Sequence, residues 1–403
     1  MINQRSRVDF GILGAGQLSL MLLEGAMTLG LKGSVLAESQ DDPALLTLSR
    51  GLVGRTRSVD DLSLFLSQVP TVLFENEFVD VSLIRQACRN LAVPPNFFPS
   101  LNAIEILQNK LNQKKILSHL KVLSSRYRVI KKTEIIEAIE NKSVARLTKQ
   151  FEREFPNGYV IKWATLGYDG KGTWISGSRN RVRDLELLSF VENADKKKVD
   201  CFVEEKINFD CEIAVIAVRG VKGQVAIYPV VQTQQRDGIC REVSPMAFPA
   251  PLLRQAKAII EAILLELQYV GVLAVECFVS RDQIYVNELA PRVHNSGHFT
   301  QDFTLCSQFE NHVRACLGFE LGDTSLTHSQ LDFVMVNLLG EKVATIAAPL
   351  APPPFGRLHW YSKTELRVGR KMGHVNVLVP RGQVKSEVVA RTQRWWDNYC
   401  ESL

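Results

Sequence analysis

The residue types best suited to chemistry crowd into one stretch, Val270 to Thr300, which reads VGVLAVECFVSRDQIYVNELAPRVHNSGHFT. Two alternating apolar runs, Val272–Val279 and Gln283–Leu289, flank a short polar turn, the pattern of a β-hairpin. Glu276, Asn287 and Glu288 interrupt those runs, and a loop holding Arg292, His294, Asn295, Ser296, Gly297 and His298 follows. Carboxylates on apolar strands need something cationic, because a buried charge must be paired or bound to a metal. A turn with three central residues, Arg281 to Gln283, would set Glu276 opposite Glu288 on one face. Like charges so placed repel, and magnesium between them would remove the repulsion. A two-residue turn would set Glu276 opposite Asn287 and break that argument. The plainer alternative is a surface hairpin with solvated acids.

Upstream lie groups that would complement such acids. Val160-Ile161-Lys162 reads as a buried strand carrying a lysine, and Gly167-Tyr168-Asp169-Gly170-Lys171-Gly172-Thr173 follows. Three glycines in six residues give a loop whose backbone amides can close over phosphates, with Lys162 and Lys171 supplying positive charge. It is not a Walker A sequence, and a flexible hairpin tip is the alternative. Phe202–Ile207 is an apolar strand ending in charge, and its Glu-Glu-x-Ile edge could offer main-chain groups to an adenine and a carboxylate to a ribose. In the tail, Lys363, Arg367, Arg370, Lys371 and His374 suit a monophosphate better than a polymer, or else form a basic surface.

These groups need a scaffold. Val8–Leu13 predicts a strand, turned by Gly14-Ala15-Gly16 into a helix through about Leu29, and Val35–Ala37 a second strand. Position 19 is serine where the dinucleotide fingerprint has its third glycine, so helix-on-strand packing explains Gly14 and Gly16 better than a nucleotide does. Thr71–Phe74 predicts another strand of that sheet with Glu75-Asn76-Glu77 at its carboxyl end, where ligands collect in open α/β sheets. Helices are expected over Leu101–Leu120, Pro251–Gln268 and Phe303–Leu317, and sheet strands over Cys211–Val218 and Val225–Val231. The proline-punctuated loop near residue 100 marks a boundary. Three units result: a Rossmann-like domain over 1–105, a central domain over 106–323 with a lid at about 120–200, and a small β-rich domain over 324–403.

With 46% hydrophobic and 23% charged residues, the 403-residue chain has the composition of a soluble globular protein. A net charge of +5 does not predict a nucleic-acid surface. The eight cysteines are scattered with no CxxC pair, which argues against zinc and disulfides and fits a reducing cytosol. No signal peptide or membrane span is read.

The order of glycine-rich loop, acidic strand end and late carboxylate hairpin resembles the ATP-grasp ligases. Within them it is similar to the 5-(carboxyamino)imidazole ribonucleotide synthases of purine biosynthesis, through GILGAGQL (11–18), GYDGKG (167–172), NELAPRVHNSGH (287–298), SQFENHVRACLG (307–318) and GRKMGH (369–374). The resemblance covers nearly the whole chain and implies an α/β ATP-grasp fold with a Rossmann-like first domain. It implies a carbon–nitrogen ligase that makes carboxyphosphate from ATP and bicarbonate and carboxylates the exocyclic amine of aminoimidazole ribonucleotide. Carried onto this chain, ATP would meet Lys110, Lys162, Gly167, Tyr168, Asp169, Gly170, Lys171, Gly172, Thr173, Glu204, Glu205, Lys206, Ile207, Glu212, Gln235, Asn287 and Glu288. Glu276 and Glu288 would bind magnesium, two ions in all, while Arg292, His294 and Asn295 hold bicarbonate or carboxyphosphate. Glu75, Tyr168, Lys363 and Arg370 would hold the ribonucleotide. A cytoplasmic homodimer with no nucleic-acid or membrane partner is implied.

There are departures from the family pattern. Lys110 and Gln235 stand where the family has arginine and histidine, and Phe74-Glu75-Asn76-Glu77-Phe78 where it reads FEFEN. Two rival readings stay open: a ligase activating another small carboxylate such as formate, and a non-catalytic nucleotide-binding homologue.

Overall fold

The computed structural model describes residues 8–48, 50–167, 170–177, 181–328, 330–346, 350–381 and 384–403. Tyr168 and Asp169 lie outside the described residues. Among those described, the first sheet is parallel, with β1 (Phe10–Leu13), β2 (Gly33–Ala37), β3 (Gly51–Val53), β4 (Thr71–Phe74) and β5 (Asn96–Phe98) in the order β3-β2-β1-β4-β5. Its central strands are buried on both faces, which is why β1 and β4 read as unbroken apolar runs. The strand order reverses between β1 and β4, so Gly14–Gly16 and Glu75 meet at the crevice where such sheets bind ligands.

A four-stranded antiparallel sheet follows, β6 (Tyr127–Val129), β7 (Tyr159–Trp163), β8 (Thr173–Ile175) and β9 (Cys201–Glu205), ordered β6-β9-β7-β8. Ile161, Cys201 and Val203 share a core with the helices Lys132–Glu140, Ala145–Glu154 and Arg181–Lys196. Lys162 alternates with Ile161 and therefore faces away from that core.

The largest sheet is built from β10 (Cys211–Arg219), β11 (Val225–Ile227), β12 (Val231–Arg236), β13 (Ile239–Pro245), β14 (Gly271–Ser280) and β15 (Gln283–Ala290). Beyond residue 330 it continues with β16 (Leu331–Leu339), β18 (Arg357–Trp360) and β20 (Lys371–Pro380), while β17 (Ala344–Thr345) and β19 (Glu365–Leu366) form a separate pair. β13 pairs with β16 through Glu242 to Val336 and Val243 to Met335. The tail is thus joined to the central unit by one continuous sheet.

Three predicted helices differ in extent. Leu101–Leu120 divides into Leu101–Leu107 and Lys110–His119, because the Asn109 side chain caps a new helix by accepting from the Leu111 and Asn112 amides at 2.9 and 3.3 Å. That break puts Lys110 at the first turn. Phe303–Leu317 likewise separates into Thr300–Phe303 and Gln308–Cys316, the latter capped by Ser307, and the third helix spans Ala250–Glu266. Val225–Val231 is not one strand but β11 and the start of β12. Among the described residues no helix is long and apolar enough to cross a membrane.

Candidate active site

The hairpin turn has two central residues, not three: Ser280 pairs with Gln283, and Arg281 and Asp282 both take left-handed conformations, φ 48° and 62°. Such a turn suits the twist of a tight hairpin. The ladder then runs Phe278 to Tyr285 and Cys277 to Val286, which by alternation would bring Glu276 to Asn287. A β-bulge intervenes at that point, and Glu276 pairs with Glu288 after all. The extra residue also turns both Asn287 and Glu288 toward one cleft, while Ile284, Val286 and Leu289 stay in the core behind. The expected apposition holds, by a different device.

That cleft has a volume of about 540 Å³ and lies between the three sheets. Glu276 and Glu288 face it from the large sheet, together with Glu212 of β10. Burial pushes the Glu276 carboxyl up, and the charges of Glu288 and Glu212 add to this, raising it to about 7 against the opposing pull of Lys110 and Arg292. Lys110 is ion-paired with Glu288. Lys162 Nζ lies 2.6 Å from Glu204 Oε1 and donates to Asn287 Oδ1 at 2.8 Å. Among the described residues no three His, Cys, Asp or Glu side chains could hold a metal by themselves. Two opposed carboxylates are nonetheless the donor set magnesium uses when phosphate oxygens and water complete its shell.

Glu204 has a different environment from the one expected of an adenine or ribose contact. Its carboxylate is buried between Lys162 and Lys114, with Lys114 Nζ at 2.8 Å from Oε2, and Ser125 Oγ donates to the same oxygen at 2.7 Å. Burial alone would raise its titration, but the two lysines outweigh that and hold it at about 2. Lys114 and Ser125 carried no sequence signal, since their partner lies 79 or more residues away. Glu205, Lys206, Ile207, Phe209 and Phe278 line the cleft beside it, as do Gly167, Gly170, Lys171 and Thr173. Gln235 also lines it, where β12 slips register against β13; Gly172 follows Lys171 with φ 74°.

Arg292 does not hold its guanidinium clear of other side chains. Nε donates to Glu77 Oε2 at 2.7 Å and one terminal nitrogen to Oε1 at 3.5 Å, a fork across 215 residues. The Asn295 amide is also committed: it exchanges hydrogen bonds with Asn337 at 2.9 and 2.7 Å and lies 3.3 Å from His298 Nδ1. Asn295 therefore braces the loop against Asn337 while still lining the cleft. His294 Nε2 comes within 3.4 Å of Glu276, and burial drives the imidazole's titration well below its ordinary value, so the ring is neutral.

Glu75 accepts from the Gly16 amide at 2.9 Å. A Cβ at Gly16 or Gly14 would lie 2.1 or 2.5 Å from that carboxylate, so these glycines make room for Glu75, and helix-on-strand packing is not their reason. Burial raises the Glu75 carboxyl, with the Gly16 amide and Lys363 opposing. Lys363 is buried and donates to the Lys371 carbonyl at 2.6 Å, while Arg370 donates to the Glu365 carbonyl at 3.1 Å. Neither lines the cleft; Lys371, a member of the same basic group of the tail, does, together with His298.

Comparison with known proteins follows the same three-part order. Residues 8–108 match the ribonucleotide synthetase preATP-grasp domain, 116–309 the ATP-grasp domain and 334–384 the phosphoribosylaminoimidazole carboxylase C-terminal domain. An N5-carboxyaminoimidazole ribonucleotide synthase of Synechococcus elongatus is 33% identical over 96% of this chain and 95% of its own. An ADP complex of an N5-carboxyaminoimidazole ribonucleotide synthetase superposes with a TM-score of 0.81 at 29% identity, covering 97% of each chain. The Aspergillus clavatus synthase, crystallised with ADP and 5-aminoimidazole ribonucleotide, gives 0.79 at 27% identity over 97% of this chain and 98% of its own.

Proposed function

The chain belongs to the N5-carboxyaminoimidazole ribonucleotide synthase family, and from that premise we propose which of its residues carry each part of the reaction. The enzyme carboxylates 5-aminoimidazole ribonucleotide at the expense of ATP, a carbon–nitrogen ligation of purine biosynthesis. Lys110, Lys162 and Lys171 neutralise the ATP phosphates, and the glycine loop closes over them. Glu205 to Ile207 border the adenine, and Glu212 faces the ribose. Glu276 and Glu288 would hold magnesium, which would neutralise charge on the terminal phosphates and favour in-line transfer. Two ions are the family expectation.

Bicarbonate is the carboxyl source on this reading. One of its oxygens bonds the γ-phosphorus as ADP leaves; the ribonucleotide amine then bonds the carboxyl carbon as phosphate leaves. Carboxyphosphate hydrolyses readily, so a closed, dry site has a purpose. His294, neutral and beside Glu276, and Arg292, oriented by Glu77, stand at the bicarbonate end. Glu75 and Lys371 line the ribonucleotide end, where Glu75 sets the position of the amine; Lys363 and Arg370, which the family resemblance assigns to the ribonucleotide phosphate, stand outside the cleft lining. The assembly is read as a homodimer, measurable as mass in solution. Eight free thiols suit a reducing cytoplasm.

One observation carries this reading: a bulge turns Asn287 and Glu288 onto the face of Glu276, against the ends of Lys110 and Lys162. The test is ADP release with ATP, magnesium and aminoimidazole ribonucleotide, supplied with bicarbonate or with formate. Turnover dependent on bicarbonate and ribonucleotide is expected. Turnover on formate alone, or ATP binding without turnover, overturns it.

A further inference from the structure

Two buried glutamines outside the cleft each grip the main chain of a segment that lines it. Gln113, in the Lys110–His119 helix and 4% exposed, donates from Nε2 to the Leu289 carbonyl at 2.9 Å and accepts from the Leu289 amide on Oε1 at 2.9 Å. The same Nε2 donates to the Leu107 carbonyl at 2.6 Å. Gln308, fully buried, does the same to His294: Nε2 donates to its carbonyl at 2.7 Å and Oε1 accepts from its amide at 3.0 Å. A Cβ at Gly297 would come within 2.7 Å of the Gln308 amide, so the loop is built to admit it.

The first grip falls on the residue after the bulge. β15 is the last strand of its sheet, so every second residue turns its amide and carbonyl away from β14. Val286 does so, its amide donating to the Leu123 carbonyl at 2.8 Å. Without a bulge the next outward residue would be Glu288. With the bulge it is Leu289, and that is where Gln113 binds. A slip of one residue would remove Leu289 from Gln113 and return Glu276 to Asn287.

We propose that Gln113 and Gln308 are positioning residues that fix the two halves of the site separately: Gln113 holds the bulged register that presents Glu288, and Gln308 holds the main chain of His294. The inference rests on the reading of the cleft given above. It differs from a general structural role in assigning the two residues to different ligands.

The experiment compares Gln113→Met and Gln308→Met, near-isosteric changes that remove both hydrogen bonds, with Glu288→Gln. Mg²⁺·ATP affinity is read by calorimetry without the other substrates, and the bicarbonate KM by ADP release. Gln113→Met should weaken Mg²⁺·ATP binding about tenfold and leave the bicarbonate KM within about twofold; Gln308→Met should do the reverse. Equal shifts of both parameters in both variants overturn the proposal. If Glu288→Gln binds Mg²⁺·ATP like the unaltered enzyme, the reading of the cleft is at fault. If Glu288→Gln is impaired and folded Gln113→Met is not, only the proposed grip is wrong. Amide exchange on the unaltered protein needs no variant to fold: protection at Leu289 and His294 is expected, and exchange there as fast as in an unstructured peptide overturns the proposal.

Discussion

Glu204 and Glu276 are carboxylates on neighbouring sheets that wall one cleft, and they titrate at opposite extremes. Glu204, with its side chain 4% exposed, is held at about 2, whereas Glu276, 24% exposed, is raised to about 7. Burial pushes both upward, and it is the more buried one that ends low. The neighbours decide: Glu204 meets two lysines and a serine hydroxyl, while Glu276 meets Glu288 and Glu212. A carboxylate already saturated with cations is architecture. One whose nearest charges are two further carboxylates, only partly offset by Lys110 and Arg292, favours a bound cation.

The comparison breaks most easily at Glu288. Glu288→Gln removes one acid of the opposed pair and should lower turnover by about a hundredfold or more, with circular dichroism unchanged. Retained activity would sink the assignment of that pair to a metal. Next comes Glu204→Gln, which leaves Lys114 and Lys162 buried without their counter-charge and should destabilise the protein by about 3–5 kcal/mol. Chemical denaturation measures this, and an unchanged midpoint would make Glu204 dispensable architecture.

The two acids also predict pH dependences of opposite sign in the protein without metal. Glu204, depressed from an ordinary 4.5, contributes stability that is present above 4.5 and lost as pH falls through about 2. Glu276, raised from the same 4.5, binds its proton more tightly when folded, so stability is lost as pH rises from 4.5 through about 7. Melting temperature against pH should therefore flatten at its acid end in Glu204→Gln and at its neutral end in Glu276→Gln. The same edge moved by both variants would contradict the contrast. The smallest effect is expected of Lys110→Arg, which keeps the charge beside Glu288 and replaces the ammonium with a planar guanidinium fork; the KM for ATP should change less than about threefold.

What was legible in the sequence follows from the range of each interaction. The hairpin could be read because its strands adjoin and because two acids in an apolar run demand an explanation. Its register could not, since a bulge depends on what grips the strand from outside, here Gln113, 176 residues away. Gly14 and Gly16 were visible, but the carboxylate they accommodate lies 59 residues on from Gly16, at the end of β4. The Arg292 side chain looked available for an anion because Glu77 is 215 residues distant. Family resemblance supplied the site residues as a set; it did not reveal which of them are spent on one another.

The pairing of β13 with β16 has a consequence for the gene as well as the protein. The residues from Leu331 onward share a sheet with the middle of the chain, because their first strand, β16, pairs with β13 and carries that sheet on to β20 and β18. Cutting the chain ahead of Leu331 would leave β13 as a raw margin with unmet amides, open to self-association. Recombination that exchanges tails between relatives must therefore preserve a hydrogen-bonded seam.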